Sequence, residues 1–210
     1  DVSMVIKTLQ KNSSNAQNLD IQRLSSFDAD GFSLGTDGDV NGSGKTFVAW
    51  CWKANAGTTS SNTDGTVTST IQVNTKAGFS IITYVGTGVI NQSLGHGLSS
   101  APEFYITKNL DTGGTGWFTK QTVIGGLFTE MSLNSSAAGY SVTNTNPPTS
   151  SLIYQFDNIN LGASGQNYIV YAFHSVAGFS KIGTYTGTGS TSNRPVINTG
   201  FEPAFVMIKN

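Results

Sequence analysis

Ser43-Gly44-Lys45-Thr46-Phe47-Val48-Ala49-Trp50 returns without a gap as Ser164-Gly165-Gln166-Asn167-Tyr168-Ile169-Val170-Tyr171, an offset of 121 residues (164 − 43). Each copy runs from a Gly-containing turn into a stretch that is apolar on both faces. Along Thr46 to Lys53, Val48, Trp50 and Trp52 fall on one side and Phe47, Ala49 and Cys51 on the other. The later copy places Ile169, Tyr171 and Phe173 on the first side and Tyr168, Val170 and Ala172 on the second. A strand alternates its side chains between two faces, so a run apolar on both is expected at the centre of a packed sheet. Val48, Trp50 and Trp52 are therefore expected to be largely inaccessible core, and Cys51 a small buried hydrophobe. Trp50 and Trp52 lying open in a groove would instead favour a sugar-stacking platform.

Outward from this stretch the repetition continues. Met4-Val5-Ile6-Lys7, Phe104-Tyr105-Ile106-Thr107-Lys108 and Phe205-Val206-Met207-Ile208-Lys209 are one element three times over, their lysines 101 residues apart (108 − 7 and 209 − 108). Gly78-Phe79-Ser80, Tyr84 and Gly86-Thr87-Gly88 recur as Gly178-Phe179-Ser180, Tyr185 and Gly187-Thr188-Gly189. A Ser/Thr/Asn-rich stretch between about 56 and 76 accounts for the longer offset of the first block. Loops vary while strands keep the period. Short apolar runs punctuated by Gly, Asn, Asp and Ser predict strands at 3–9, 31–34, 46–53, 66–73, 79–85, 103–108, 117–122, 140–143, 152–156, 168–174, 179–186 and 205–209. One weak helical pattern spans 15–24. The expected fold is all-β: two tandem antiparallel β-sandwich, jelly-roll-like repeats of about 100 residues, 1–101 and 102–210, the second ending in a third copy of the terminal strand. An odd number of copies of that strand leaves one without the rest of its unit, so at least one chain end is expected at an intermolecular or inter-repeat contact. Asp1 and Asn210 read as the ends of an excerpt or a processed product.

Composition narrows the function classes. Charged residues are 11% of the 210, against roughly 25% in ordinary globular domains. Gly, Ser, Thr and Asn take their place, an extracellular β-protein's composition. A net charge of −1 with scattered Lys and Arg gives no footprint for nucleic acid. No apolar run approaches the roughly 20 residues of a bilayer-spanning helix, and residues 1–20 contain no signal-peptide core. A single cysteine excludes an intramolecular disulfide.

Motifs that would carry chemistry are incomplete. Gly42-Ser43-Gly44-Lys45-Thr46 imitates a phosphate-binding loop, but Asp39 stands where its first glycine belongs and a strand, not a helix, is expected next. Asp37, Asp39 and Asn41 alternate like the first ligands of a calcium loop, with Gly42 at the sixth position, yet Val48 replaces the closing glutamate and the other copy has Asn158 and Asn160. These three oxygens are the candidate metal ligands, for calcium; no other cofactor is implied. The more economical reading is an acidic turn. His96 and His174 read as turn or strand-end histidines. The carboxylates Asp28, Asp30, Asp37, Asp39, Asp64, Asp111, Glu130 and Asp157 show no spacing that would oppose two across a glycosidic bond. No catalytic residue is assigned. Trp117, with no aromatic strand around it, is the candidate ligand-binding residue if aromatics are exposed at loop tips.

Ser26-Phe27-Asp28-Ala29-Asp30-Gly31-Phe32-Ser33-Leu34-Gly35, followed by Val40-Asn41 and by Ser43-Gly44-Lys45-Thr46-Phe47-Val48-Ala49-Trp50-Cys51-Trp52-Lys53-Ala54, resembles a repeat in virion proteins of marine tailed phages that infect cyanobacteria and other ocean bacteria. Ala77-Gly78-Phe79-Ser80, the turn after Tyr84, Gly95-His96-Gly97-Leu98, Ala101-Pro102 and Gly200-Phe201-Glu202-Pro203-Ala204-Phe205-Val206-Met207-Ile208-Lys209 extend the likeness over nearly the whole chain. The resemblance implies a non-enzymatic structural protein of an extracellular phage particle, a tail, fibre or capsid-decorating component. Its implied partners are other virion proteins or copies of itself. The alternative is a carbohydrate-binding module that recognises a host surface glycan. Ala172-Phe173-His174 replaces Cys51-Trp52-Lys53 in the later copy, so a site built on Cys51 or Lys53 is not intrinsic to the fold.

Overall fold

The computed structural model describes residues 7–9, 14–55, 58–122, 128–133, 135–136, 140–142, 146–155 and 159–209. Within them the strands are β1 Lys7–Thr8, β2 Asn18–Leu19, β3 Leu24–Phe27, β4 Phe32–Leu34, β5 Ser60–Asn62, β6 Ser69–Asn74, β7 Phe79–Val85, β8 Gln92–Gly95, β9 Phe104–Asn109, β10 Phe118–Thr122, β11 Phe128–Ser132, β12 Tyr140–Val142, β13 Leu152–Gln155 and β14 Asn167–Phe173. Two four-residue helices, α1 Gly38–Asn41 and α2 Ile159–Gly162, complete the elements. The protein is all-β in architecture.

An antiparallel sheet of eight strands, in the order β12-β11-β10-β9-β14-β7-β6-β5, forms the main layer. Strand β14 lies at its heart. Its Tyr168 pairs with Tyr84 of β7 and Asn109 of β9, and its Phe173 with Phe79 and Phe104. Strands from both sides of residue 101 thus build one sheet. The two-stranded sheet of β8 and β13 supplies apolar side chains opposite one face, and Val67 adds a parallel bridge to Leu94. Ile71, Ile82, Tyr84, Tyr105, Tyr168, Val170 and Ala172 from the large sheet meet Val67, Leu94, Leu98 and Ile153 in one core. Tyr168 and Tyr84 stack with ring centroids 5.0 Å apart. Burying an aromatic of this size removes enough apolar surface to dominate the local energetics.

Hydrogen bonds satisfy many of the polar groups that this packing takes from water, while Gln92 Nε2 and Gln155 Oε1 are buried without one. The Tyr84 hydroxyl donates to Leu161 O at 2.6 Å, Tyr105 to Tyr154 O at 3.2 Å, and Ser80 Oγ to His96 O at 2.8 Å. Gln155 Nε2 donates to Thr107 Oγ1 at 3.0 Å. Gly78, at φ +62°, permits the tight turn before β7; a Cβ there would stand 2.6 Å from His174 O. Only glycine fits both demands.

Several expectations are corrected. The 15–24 pattern is not helical: β2 and β3 flank a turn in which Asp20 Oδ1 accepts from Gln22 N at 3.1 Å and Asp20 O from Arg23 N at 3.2 Å. A side chain that caps its own backbone competes with helix formation. Residues 46–53, 179–186 and 205–209 lie outside any strand. Val48, Trp50 and Trp52 are exposed, the tryptophans by 57% and 58%, and Cys51 is exposed too. The double-sided apolar pattern found its central place in β14 only. Of the expected strand over 3–9, residues 7–9 are described, and Met4-Val5-Ile6 lie outside the described residues.

Candidate functional site

The most conspicuous surface is apolar and belongs to the copies that have no ladder. Phe47, Val48, Trp50 and Trp52 from the first half are exposed, as are Phe179, Tyr185, Val196, Ile197, Phe205, Val206, Met207 and Ile208 from the last 33 residues. Trp50 meets Phe205 with centroids 5.9 Å apart, and Trp52 meets Phe173 at 6.4 Å. The two regions therefore touch, yet Met207 remains 60% exposed. Exposed apolar side chains in such number are more than scattered single positions, the kind of surface feature that calls for an explanation.

Local geometry around these segments already matches that of the complete sandwich. Helix α1 and helix α2 lie 121 residues apart (159 − 38), the offset of the repeat itself. Gly44 at φ +71° and Gly165 at φ +76° form the turn after each helix. Gly78 at +62° is matched by Gly178 at +72°, and Gly88 at +75° by Gly189 at +63°. Strand β4 corresponds to β13 at the same 121-residue offset, Phe32 standing for Ile153. Turns form from their own residues, whereas strands need neighbours.

The sequence-selected residues fall elsewhere. Trp117 is buried immediately before β10, and its carbonyl accepts from Leu133 N at 2.9 Å, so it presents no stacking platform. Asp37 caps α1 by accepting from Asp39 N at 2.7 Å. Arg23 reaches Asp20 at 3.0 Å, Asp37 at 3.3 Å and Asp39 at 2.8 Å, while Asn41 Nδ2 donates to Gly35 O at 2.7 Å. The acidic oxygens converge on a guanidinium, which already supplies the positive charge a cation would bring. Among the described residues, no three His, Cys, Asp or Glu side chains group as metal ligands. Lys45 Nζ approaches Gly38 O at 3.5 Å, and irregular chain follows it in place of a phosphate-binding helix. Asp157 lies outside the described residues.

His96 is fully buried just beyond β8. Its Nδ1 accepts from Leu98 N at 3.0 Å and its Nε2 donates to Thr149 O at 3.2 Å, the neutral tautomer. Burial holds its pKa below the ordinary 6.5. His174 lies at the end of β14, with Nδ1 2.8 Å from Ser175 O and Nε2 3.3 Å from Ser99 Oγ. Three charged groups lie inside the fold, a burial that the sequence reading did not anticipate. Lys108 Nζ donates to Ser14 O, Thr115 O and Thr115 Oγ1 at 3.2, 2.9 and 3.1 Å, and burial lowers its pKa. Lys120 and Glu130 face each other across β10 and β11 at 3.7 Å, both buried. The even spacing of Lys7, Lys108 and Lys209 was the available signal for the first; Glu130 was weighed only as a free carboxylate, and nothing in the sequence tied it to Lys120.

A model of a domain of unknown function, DUF7483, matches residues 1–210. The chain belongs to the DUF7483 family. No curated protein matches it, and no solved structure does. The family match spans both the complete sandwich and the exposed apolar segments of this DUF7483 chain, so neither is an appendage to the domain.

Proposed function

We propose that this chain is a non-enzymatic structural component of a bacteriophage particle, in the tail, a fibre or the capsid decoration, contributing to assembly and host attachment. The observation that supports this reading is the exposure, in one copy of the repeat, of segments whose counterparts are buried in the other. Such segments are suited to neighbouring subunits, and the low charge and Gly/Ser/Thr-rich composition fit an extracellular particle. The motif-level resemblance to marine phage virion proteins supports the same reading. In the assembled form the chain contributes tandem β-sandwich repeats of about 100 residues, the second completed by a neighbour.

Quantitative mass spectrometry of gradient-purified particles tests this. The chain should co-purify at a fixed ratio to the known particle proteins; its absence from intact particles would overturn the reading.

A second reading, a glycan-binding module, draws on the exposed Trp50 and Trp52. Both tryptophans are more than half exposed, the outcome expected of a sugar-stacking platform, and each ring also contacts one aromatic neighbour, Trp50 with Phe205 and Trp52 with Phe173. A glycan array decides between them: saturable binding lost in Trp50→Ala and Trp52→Ala would favour sugar recognition.

A further inference from the structure

We infer that residues 46–52 of one copy of this chain insert between the segments 179–185 and 205–209 of a second copy, completing a sandwich head to tail. The complete sandwich supplies the template. There β14 lies between β7 and β9, paired along its length with both. Residues 46–52 are the other copy of β14, 179–185 the other copy of β7, and 205–209 one of two further copies of β9, the remaining one being Met4 to Lys7. Among the described residues, 46–52 is a central-strand copy that joins no ladder, and 179–185 and 205–209 are flanking copies with no strand between them.

The register transfers residue by residue. Phe47 falls opposite Tyr185 as Tyr168 does opposite Tyr84. Trp50 falls opposite Met207 as Tyr171 does opposite Ile106, and Cys51 opposite Val206 as Ala172 does opposite Tyr105. Trp52 takes the place of Phe173 between Phe179 and Phe205. Phe179 to Tyr185 is one residue longer than Phe79 to Tyr84, so the new edge carries a bulge near Lys181. In the second layer, β4 stands where β13 does, and Val196-Ile197 lies between the β7-like and β9-like segments as β8 does.

The occupant is a second copy because the chain's own contact does not close the sandwich. Trp50 touches Phe205 within one chain, but Val206, Met207 and Ile208 stay more than half exposed and no ladder joins the two segments. Pairing with another copy satisfies backbone donors and acceptors and buries both apolar faces at once. Donor and acceptor are different surfaces, so the contact is heterologous and each joined pair keeps one free donor and one free acceptor. Such a contact propagates unless the rotation closes a ring.

Two surface-charge variants test this by size-exclusion chromatography with light scattering, the circular dichroism of each confirming that the central sandwich is intact. Val48→Asp with Trp50→Asp disables the donor; Val206→Asp with Ile208→Asp disables the acceptor. Wild-type chains should form concentration-dependent oligomers, each variant alone should be monomeric, and the mixture should give a dimer and nothing larger. Oxidation of Val206→Cys should then link the new thiol to Cys51 of another chain, identified by peptide mass spectrometry. A monomeric wild type at the highest soluble concentration, a mixture that stays monomeric, or a Cys51–Val206→Cys link confined within single chains would each overturn the inference.

Discussion

Residues 46–52 and 167–173 have the same pattern and opposite fates. Tyr168 is completely buried, whereas its counterpart Phe47 is 46% exposed. Both are preceded by a four-residue helix and a left-handed glycine, so nothing in the local chain separates them. The difference lies in the neighbours: β14 has β7 and β9, and 46–52 has only the ring contacts of Trp50 and Trp52. β-propensity describes fitness for a pleated, packed surface, and the surface must be supplied by other segments.

The largest expected effect comes from truncating the same position in the two copies. Tyr168→Ala removes a ring stacked on Tyr84 and a hydroxyl that accepts from Ala163 N at 3.0 Å and Asn109 Nδ2 at 3.1 Å. Urea unfolding should show a loss of about 3–5 kcal/mol, the range for large buried aromatics. Phe47→Ala in the monomer should change stability by no more than about 0.5 kcal/mol, as expected of surface positions. Equal costs would mean that 46–52 is packed in solution and would erase the contrast.

The sequence disclosed the middle of this fold better than its edges, for reasons visible in single strands. β14, β7 and β9 were legible because each is an apolar run dense enough to be buried on both faces or nearly so. β11 was missed because Thr129, Glu130 and Ser132 interrupt its apolar residues, and the fold sets Lys120 opposite the buried Glu130. Lys108 was noticed for its spacing and not for its burial, since charged residues are rarely interior without dedicated partners. The exposed site was invisible for a different reason. A pattern states that a segment can be central; it does not state whose strands will flank it.

Glycines sharpen the comparison at smaller amplitude. Gly78 and Gly178 share the left-handed conformation, but a Cβ at Gly78 would strike His174 O, while Gly178 faces open space. Gly78→Ala should cost about 2–4 kcal/mol, combining backbone strain with the displacement of β14's end, and Gly178→Ala about 1 kcal/mol from strain alone. Thermal melts of the two variants check this, and a larger loss at Gly178 would show that its turn is packed in the free chain.

Mild acidification should act on the complete sandwich through His96. His96 accepts from Leu98 N with Nδ1, so protonating that nitrogen sets two donors against each other, and burial adds to the cost; His174 disfavours the charge and Asp64 favours it. Its folded pKa lies below the unfolded value of 6.5, so between the two the unfolded chain holds the extra proton. The stabilisation is complete above 6.5 and declines as pH falls through that value toward the folded pKa. Melting temperature should drop between pH 7.5 and 5.5, and His96→Asn should flatten that drop. An unchanged slope in the variant would assign the pH dependence to other groups.

The smallest expected effect concerns the acidic turn, and again the two copies decide it. Asp37 caps α1, which contains Asp39, and both face Arg23; in the sequence of the other copy asparagines stand at 158 and 160, yet α2 forms the same four-residue turn with the same glycine conformation three residues after it. A turn that forms with neutral residues needs no cation to hold it. The negative charge at α1 is partly offset by a guanidinium whose fork bonds several carboxylate oxygens at once. Adding millimolar calcium, or removing it with a chelator, should leave the melting temperature of the wild type unchanged. Calcium should begin to matter only in Arg23→Ala, where Asp20, Asp37 and Asp39 lose their common partner and repel one another. A wild-type chain stabilised by calcium would show that the metal displaces Arg23, and would turn the acidic copy of the turn into a site that the neutral copy lacks.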